Sequence, residues 1–355
     1  MAIPGHPNSH GEPPFSEQMR ACFYYNIPYR CRPGGGREPM PEWMRWQIEA
    51  IVWLQGLQPP GAIAFWRLMS WLGEEPVFLL LLTGWLWAYR KREALWAATA
   101  LLLGSYLAFT LKDLFAMPRP FQVAPDAVRV LVPGGEALGY GLPSGHALTA
   151  AALWGTWAGM LGNPWFTGFA LGLIFLIGLS RLVLGVHFLH DILVGWAVGA
   201  LVAFGIVRVG PGWLPRLAAS RRRSFLLAAG GVLLLFLLHG TRETAVPLGA
   251  WLGMIGGTLL ESGQNRFHPG GPWPQRGWRL AIGWATLAAL YVGLGWLFRA
   301  LPPPLPEAPA LRFVRYGVVG LWATGGAPAL FLRLGLAPTE RTVEVLPSDP
   351  QPGHL

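Results

Sequence analysis

The stretch "YGLPSGHALTAAALWGTWAGML", Tyr140 to Leu161, sets a serine, a glycine and a histidine side by side and then carries no charge to its end. A run of this length stands at the short limit of the ~17–25 residues that cross a bilayer, so alone it fits a buried helix equally well. The rest of the chain decides. Of 355 residues, 53% are hydrophobic, 13% are charged and 19 are tryptophan, and similar runs recur along most of the length. Such a composition argues against a soluble multidomain protein, and the reading is an all-α, polytopic transmembrane helical bundle.

The runs place nine spans at about 76–89, 93–115, 145–161, 165–183, 187–208, 224–239, 244–260, 279–300 and 312–333. The formal charge of +9 does not describe a nucleic-acid footprint, because the arginines fall in short loops between spans. Arg90, Lys91 and Arg92 form one basic knot, Arg208, Arg216 and Arg221 to Arg223 a second, and Arg266, Arg276 and Arg279 a third. Counting crossings puts all three on one side, which the positive-inside rule makes cytoplasmic. The loop 116–144 and the turn 183–187 then share the outer side, with Arg312 and Arg315 running against the rule.

Residues 1–40 lack the apolar core of a signal peptide and read as a flexible arm, or as translated sequence upstream of a start at Met40 or Met44. Cys22 and Cys31 lie there, either as one disulfide or as two free thiols. Between residues 41 and 75, apolar and polar residues alternate at helical spacing, and five tryptophans suit the headgroup region, so this segment reads as interfacial amphipathic helices. Residues 76–208 form a core and 209–355 a C-terminal set of about four further spans with a tail. Gly168 with Gly172, and Gly195 with Gly199, have the spacing that lets helices approach closely.

Three polar clusters stand at the outer edges of spans, where ionisable groups are costly and therefore functional candidates. In "KDLFAMPRP", Lys112 and Arg119 are seven residues apart, two helical turns that return to one face. Taken alone they also fit snorkelling anchors at a helix end. Only Lys91 and Lys112 are lysines among the 27 basic residues, which marks position 112 as one where a compact ammonium is wanted. In the opening stretch, Ser144 can cap a helix whose first amides, at Gly145 and His146, attract anions. In "SRLVLGVHFLHD", His187 and Asp191 are four apart on one helix face, so the carboxylate can hold one imidazole nitrogen and leave the other basic. Arg181 precedes them, and His190 is rotated off their line and reads as structural. The three cations would repel a divalent ion, so the histidines and Asp191 are not read as a metal site, and no cofactor is expected.

Lys112, six residues, Arg119–Pro120; Pro143–Ser144–Gly145–His146; and Ser180–Arg181, five residues, His187, three residues, Asp191 together resemble the three signature motifs of the type 2 phosphatidic acid phosphatase superfamily. The resemblance implies that His187 attacks phosphorus to form a phosphohistidine, that Asp191 holds its ring, and that His146 protonates the leaving oxygen. It implies that Lys112, Arg119, Ser144, Gly145 and Arg181 bind the phosphoryl oxygens. The expected protein is a metal-independent phosphatase of the cytoplasmic membrane, acting at its outer face on polyprenyl diphosphate, phosphatidate or phosphatidylglycerophosphate. The alternatives are a phosphotransferase or a glucose-6-phosphatase-like sugar phosphatase using the same site, and a non-enzymatic transporter. The expected partners are the lipid phosphate substrate and membrane lipids, with no nucleic acid; the sequence sets no oligomeric state.

Overall fold

The computed structural model describes residues 40–59, 61–132, 139–218, 221–261, 266–305 and 308–340. Cys22, Cys31 and nearly all of the N-terminal arm lie outside them. Two short helices come first, α1 (Glu42–Gly56) and α2 (Ala62–Trp71), then α3 (Glu75–Ala88), α4 (Lys91–Phe115) and the single-turn α5 (Pro120–Val123). The centre of the chain forms α6 (Gly145–Leu161), α7 (Pro164–Val183) and α8 (Leu189–Ala218). There follow α9 (Arg221–His239), α10 (Ala245–Glu261), α11 (Trp273–Arg299) and α12 (Pro309–Leu321), the last running through a widened turn at Trp322–Gly326 into α13 (Ala327–Arg333).

The fold is an all-α transmembrane bundle, and each of the nine expected spans falls on a helix, α12 and α13 making the ninth together. Among the described residues five stretches, Leu189–Gly210 and Trp273–Arg299 among them, are long and apolar enough to cross a bilayer, while α3 and α10 are apolar and shorter. Among the described residues the only strand-like pairing is an isolated bridge between Phe267 and Thr339.

α6 sits at the centre, packed on α4, α7 and α8. In lipid, helices associate through close packing rather than through expulsion of apolar surface from water, so small residues set the approach. A β-carbon at Gly195 would stand 2.8 Å from the Ser144 carbonyl oxygen and 3.1 Å from Ala147 Cβ, and one at Gly199 would overlap the Leu148 carbonyl. The start of α6 is thereby seated against α8. Gly168 and Gly172 do not do the same: nothing lies within 4 Å of a β-carbon at either, so this face of α7 makes no close helix contact. Spacing alone does not tell which face of a helix is covered.

The C-terminal helices use the device more heavily. Gly249, Gly253 and Gly257, four apart on α10, meet the backbone of Phe313, Gly317 and Leu321 on the α12 side. The widened turn after α12 turns the Ala323 carbonyl outward to accept Trp87 Nε1–H at 2.8 Å, which ties α3 to this half. At one end of the bundle, Lys91 pairs with the buried Glu261 at 2.6 Å, Glu261 also accepts the Phe267 amide, and Arg276 donates to the Ala88 carbonyl at 3.2 Å. Two basic loops, around residues 90–92 and 266–279, thus gather there, at the opposite end of α4 from Lys112. The side chains of Arg216 and Arg221 lie outside the described set.

Gly199→Leu is expected to lower the thermal midpoint in detergent by several degrees, since forced overpacking costs about 1–3 kcal/mol. Gly168→Leu on the open face should leave it unchanged. Equal midpoints for the two variants would contradict the α6–α8 seating.

Candidate functional site

The sequence places Lys112 and Arg119 on one continuous helix face, and the structure corrects this. α4 ends at Phe115, and Ala116 turns the chain through the left-handed region at φ 47°, its amide closing on the Lys112 carbonyl at 2.8 Å. Such a conformation disfavours residues with a β-carbon, so it marks a constrained corner. Arg119 then precedes α5 in extended backbone, its amide held by Gln122 Oε1 at 2.8 Å. Its buried guanidinium donates from Nε to the Gly139 carbonyl at 2.9 Å and from one terminal nitrogen to the Val186 carbonyl at 3.1 Å. One arginine therefore ties together the three segments that carry the three motifs.

At the start of α6, Ser144 was expected to cap the helix with its hydroxyl. It does not: the side chain makes no cap hydrogen bond, although the Ser144 carbonyl accepts the Leu148 amide at 3.0 Å as the first helical bond. The Ser144 amide is committed to the Asp191 carbonyl at 2.9 Å. Its Oγ is fully buried and without a hydrogen-bond partner, and so is Nε2 of His146. A buried hydroxyl costs about 1–3 kcal/mol when unpaired, so an orphan on a helix start with outward amides is a place prepared for an acceptor. Lys112 Nζ reaches to 3.9 Å from the position of a Gly145 β-carbon.

His187 precedes α8 instead of sharing a helix face with Asp191. The Arg181 carbonyl accepts both the Val186 and His187 amides, at 3.1 and 3.3 Å, closing the tight turn after α7. Asp191 stands in the first turn of α8, where its Oδ2 accepts the Phe188 amide at 2.9 Å and faces His187 Nδ1 at 3.2 Å. A first-turn carboxylate at a helix N-terminus is a stable arrangement in itself, and here it also orients the ring. With Nδ1–H directed at Asp191, Nε2 keeps its lone pair and lies 3.5 Å from Arg119. His190 is less remote from the pair than its spacing suggests: its Nε2 is 3.2 Å from Asp191 Oδ1, while Nδ1 faces Gln47 Oε1 at 3.1 Å and the ring stacks on Phe188.

The structure therefore brings all eight expected residues, Lys112, Arg119, Ser144, Gly145, His146, Arg181, His187 and Asp191, to one corner of the bundle. Lys112 lies within electrostatic range of Arg119, Arg181 and Asp191, and His187 within range of all three cations and His146. Asp191, among these cations, is occupied with histidine. Cations gathered beside a helix start suit a tetrahedral dianion and its transfer. Among the described residues no three His, Cys, Asp or Glu side chains are grouped to hold a metal ion.

Sequence reasoning missed what α1 and α2 contribute. Ser70, buried on α2, meets the Arg181 guanidinium through its hydroxyl. A β-carbon at Gly73 would stand 3.0 Å from Cδ2 of the His146 ring, so this glycine leaves the ring its space. Gln55 holds the Arg129 and Val183 carbonyls at 2.8 and 3.1 Å. The available signal was polar residues on a buried face: Gln47 and Gln55 share the side of α1 that carries Met44, Ile48 and Ile51.

Comparison with known proteins gives two family matches, PAP2 superfamily over residues 93–214 and PAP2 superfamily phosphatase, transmembrane extension, over residues 245–339. The decaprenylphosphoryl-5-phosphoribose phosphatase of Mycobacterium tuberculosis is 32% identical over 177 residues, covering 47% of this chain and 93% of that protein. The lipid A 4'-phosphatase of Porphyromonas gingivalis is 31% identical over 169 residues, covering 44% and 69%. Among solved structures, Aquifex aeolicus LpxE is similar at 26% identity with a TM-score of 0.41, covering 45% of this chain and 94% of that one.

Ser70→Ala is expected to weaken orthovanadate binding about tenfold, the loss of one hydrogen bond to a charged group. Ser70→Thr, which keeps the hydroxyl, should restore most of it. If both variants bind like wild type, Ser70 does not position Arg181.

Proposed function

Because this chain belongs to the PAP2 superfamily, we propose that it hydrolyses a lipid phosphate through a phosphohistidine at the corner just described. That it is a multi-pass membrane phosphatase follows from the family and from relatives that are lipid phosphatases. The observation that carries the finer reading is the ring of His187, held by Asp191 at Nδ1 with Nε2 facing the cations.

In this reading Nε2 of His187 attacks phosphorus and the bond to the leaving oxygen breaks, with His146 Nε2 supplying the proton that oxygen needs. Water then attacks the phosphohistidine, His146 takes its proton, and inorganic phosphate leaves as His187 is regenerated. Lys112, Arg119, Arg181, the Ser144 hydroxyl and the Gly145 amide take up the charge on the equatorial oxygens. Phosphoryl transfer asks a protein mainly for positioning and charge, which these groups supply without calling on a metal. A helix-end site at the bundle edge also suits an amphiphile whose headgroup lies at the interface and whose tails stay in lipid.

The outer face of the cytoplasmic membrane is part of the same proposal. It is supported by the basic loops gathered at the far end of the bundle, which the positive-inside rule assigns to the cytoplasm. The exposed Trp43, Trp46, Trp53 and Trp71 of α1 and α2 would then lie at headgroup level beside the site. The substrate classes are polyprenyl diphosphate, phosphatidate and phosphatidylglycerophosphate, to which the names of the relatives add phosphorylated glycolipids.

Purified protein in chelator should release inorganic phosphate from at least one of these lipids and form an acid-labile phosphoenzyme. His187→Ala should lose both, while His146→Ala should slow turnover by about 10²–10⁴. Inactivity towards every lipid in the panel, or a phosphoenzyme that survives His187→Ala, would refute the reading.

A further inference from the structure

Between α3, α4, α10, α11 and α12 lies a cavity of 460 Å³ that the reaction above does not use. Its walls are mainly aliphatic, with Leu79, Leu86, Leu102, Met254 and Leu287 among them. Thr83 and Thr324 also line it, but their hydroxyls are already bonded to the Leu79 and Met254 carbonyls, at 2.7 and 3.0 Å. The ionisable side chains cluster at one end: Glu75 opens α3, Tyr291 stands in the second half of α11, and Tyr316, near the middle of α12, lies within electrostatic range of both. That end adjoins the phosphate corner, since Gly73, two residues before Glu75, packs on the His146 ring.

The shape limits the occupant. Along α4 the lining runs from Ala94 to Ser105, about 16 Å at the helical rise, or roughly half the ~30 Å hydrocarbon core of a bilayer. Ordered water would need two to four polar partners for each molecule, and the aliphatic walls do not offer them. Aliphatic walls of that length inside a bilayer suit a hydrocarbon chain.

We propose that this cavity binds one hydrocarbon chain of a membrane lipid, headgroup at Glu75, Tyr291 and Tyr316 and chain directed down between the catalytic core and the C-terminal helices. The C-terminal extension thereby acquires a task of its own, closing the second wall of a lipid site. The proposal rests on the fold and stands apart from the phosphatase reading.

The test uses the full chain in nanodiscs doped with a phosphatidylcholine bearing a diazirine at the end of a hexadecanoyl chain, followed by photolysis and peptide mapping. Label is expected on α3, α4 and α11 at the cavity walls, above the level on the outward Leu234 and Leu237 of α9. Ala98→Phe on α4 and Ala288→Phe on α11 narrow the cavity. Displacing two methylenes converts to about a tenfold loss of wall labelling in each variant. Unchanged labelling of α9 and an unchanged thermal midpoint show that a variant is folded. Wall labelling no higher than on α9, or wall labelling that persists in a folded variant, would overturn the proposal.

Discussion

Positive charge gathered at a membrane edge is the constraint the rest of this molecule accommodates. Lys112, Arg119 and Arg181 come within electrostatic range of one another, and Asp191 among them is engaged with His187 and the start of α8. Like charges in a low-dielectric setting repel, so the guanidinium of Arg119 is held by backbone carbonyls and that of Arg181 by the Ser70 hydroxyl. Beside them, at the start of α6, lies the Ser144 hydroxyl, buried and without a hydrogen-bond partner.

Two packing decisions make that arrangement affordable in a bilayer. Gly195 and Gly199 bring α8 onto α6 so closely that the Ser144 amide reaches the Asp191 carbonyl, locking the second and third motifs together. Arg119 then ties in the first. On the other side, α1 and α2 bury Met44, Ile48, Ile51 and Ser70 while leaving tryptophans outward, so the same short helices that carry interfacial rings also wall the site. The glycine-packed pair of α10 and α12 meets the core where α10 packs on α4, and through Trp87 and the Lys91–Glu261 pair.

Much of this was legible in the sequence, because membrane spans and charge placement are one-dimensional signals. The nine apolar runs found their helices, and the eight expected site residues converge. What was illegible was local geometry. Helical periodicity suggested a shared face for Lys112 and Arg119 and for His187 and Asp191, yet the first pair meets through a left-handed corner at Ala116 and the second through a helix start. Ser144 read as a cap because residue type favours it, but its hydroxyl is spared from that bond. Gly168 and Gly172 had the right spacing on an uncovered face, whereas Gly249, Gly253 and Gly257, with the same spacing, lie at a true crossing. Ser70 and Gly73 act on residues distant in sequence, and only tertiary structure assigns such roles.

A structure of the protein with orthovanadate tests the central claim most directly. The account predicts vanadium bonded to Nε2 of His187, its equatorial oxygens on Lys112, Arg119, Arg181 and Ser144, and its apical oxygen facing His146. Vanadate bonded to His146 or His190, or bound away from the start of α6, would contradict it.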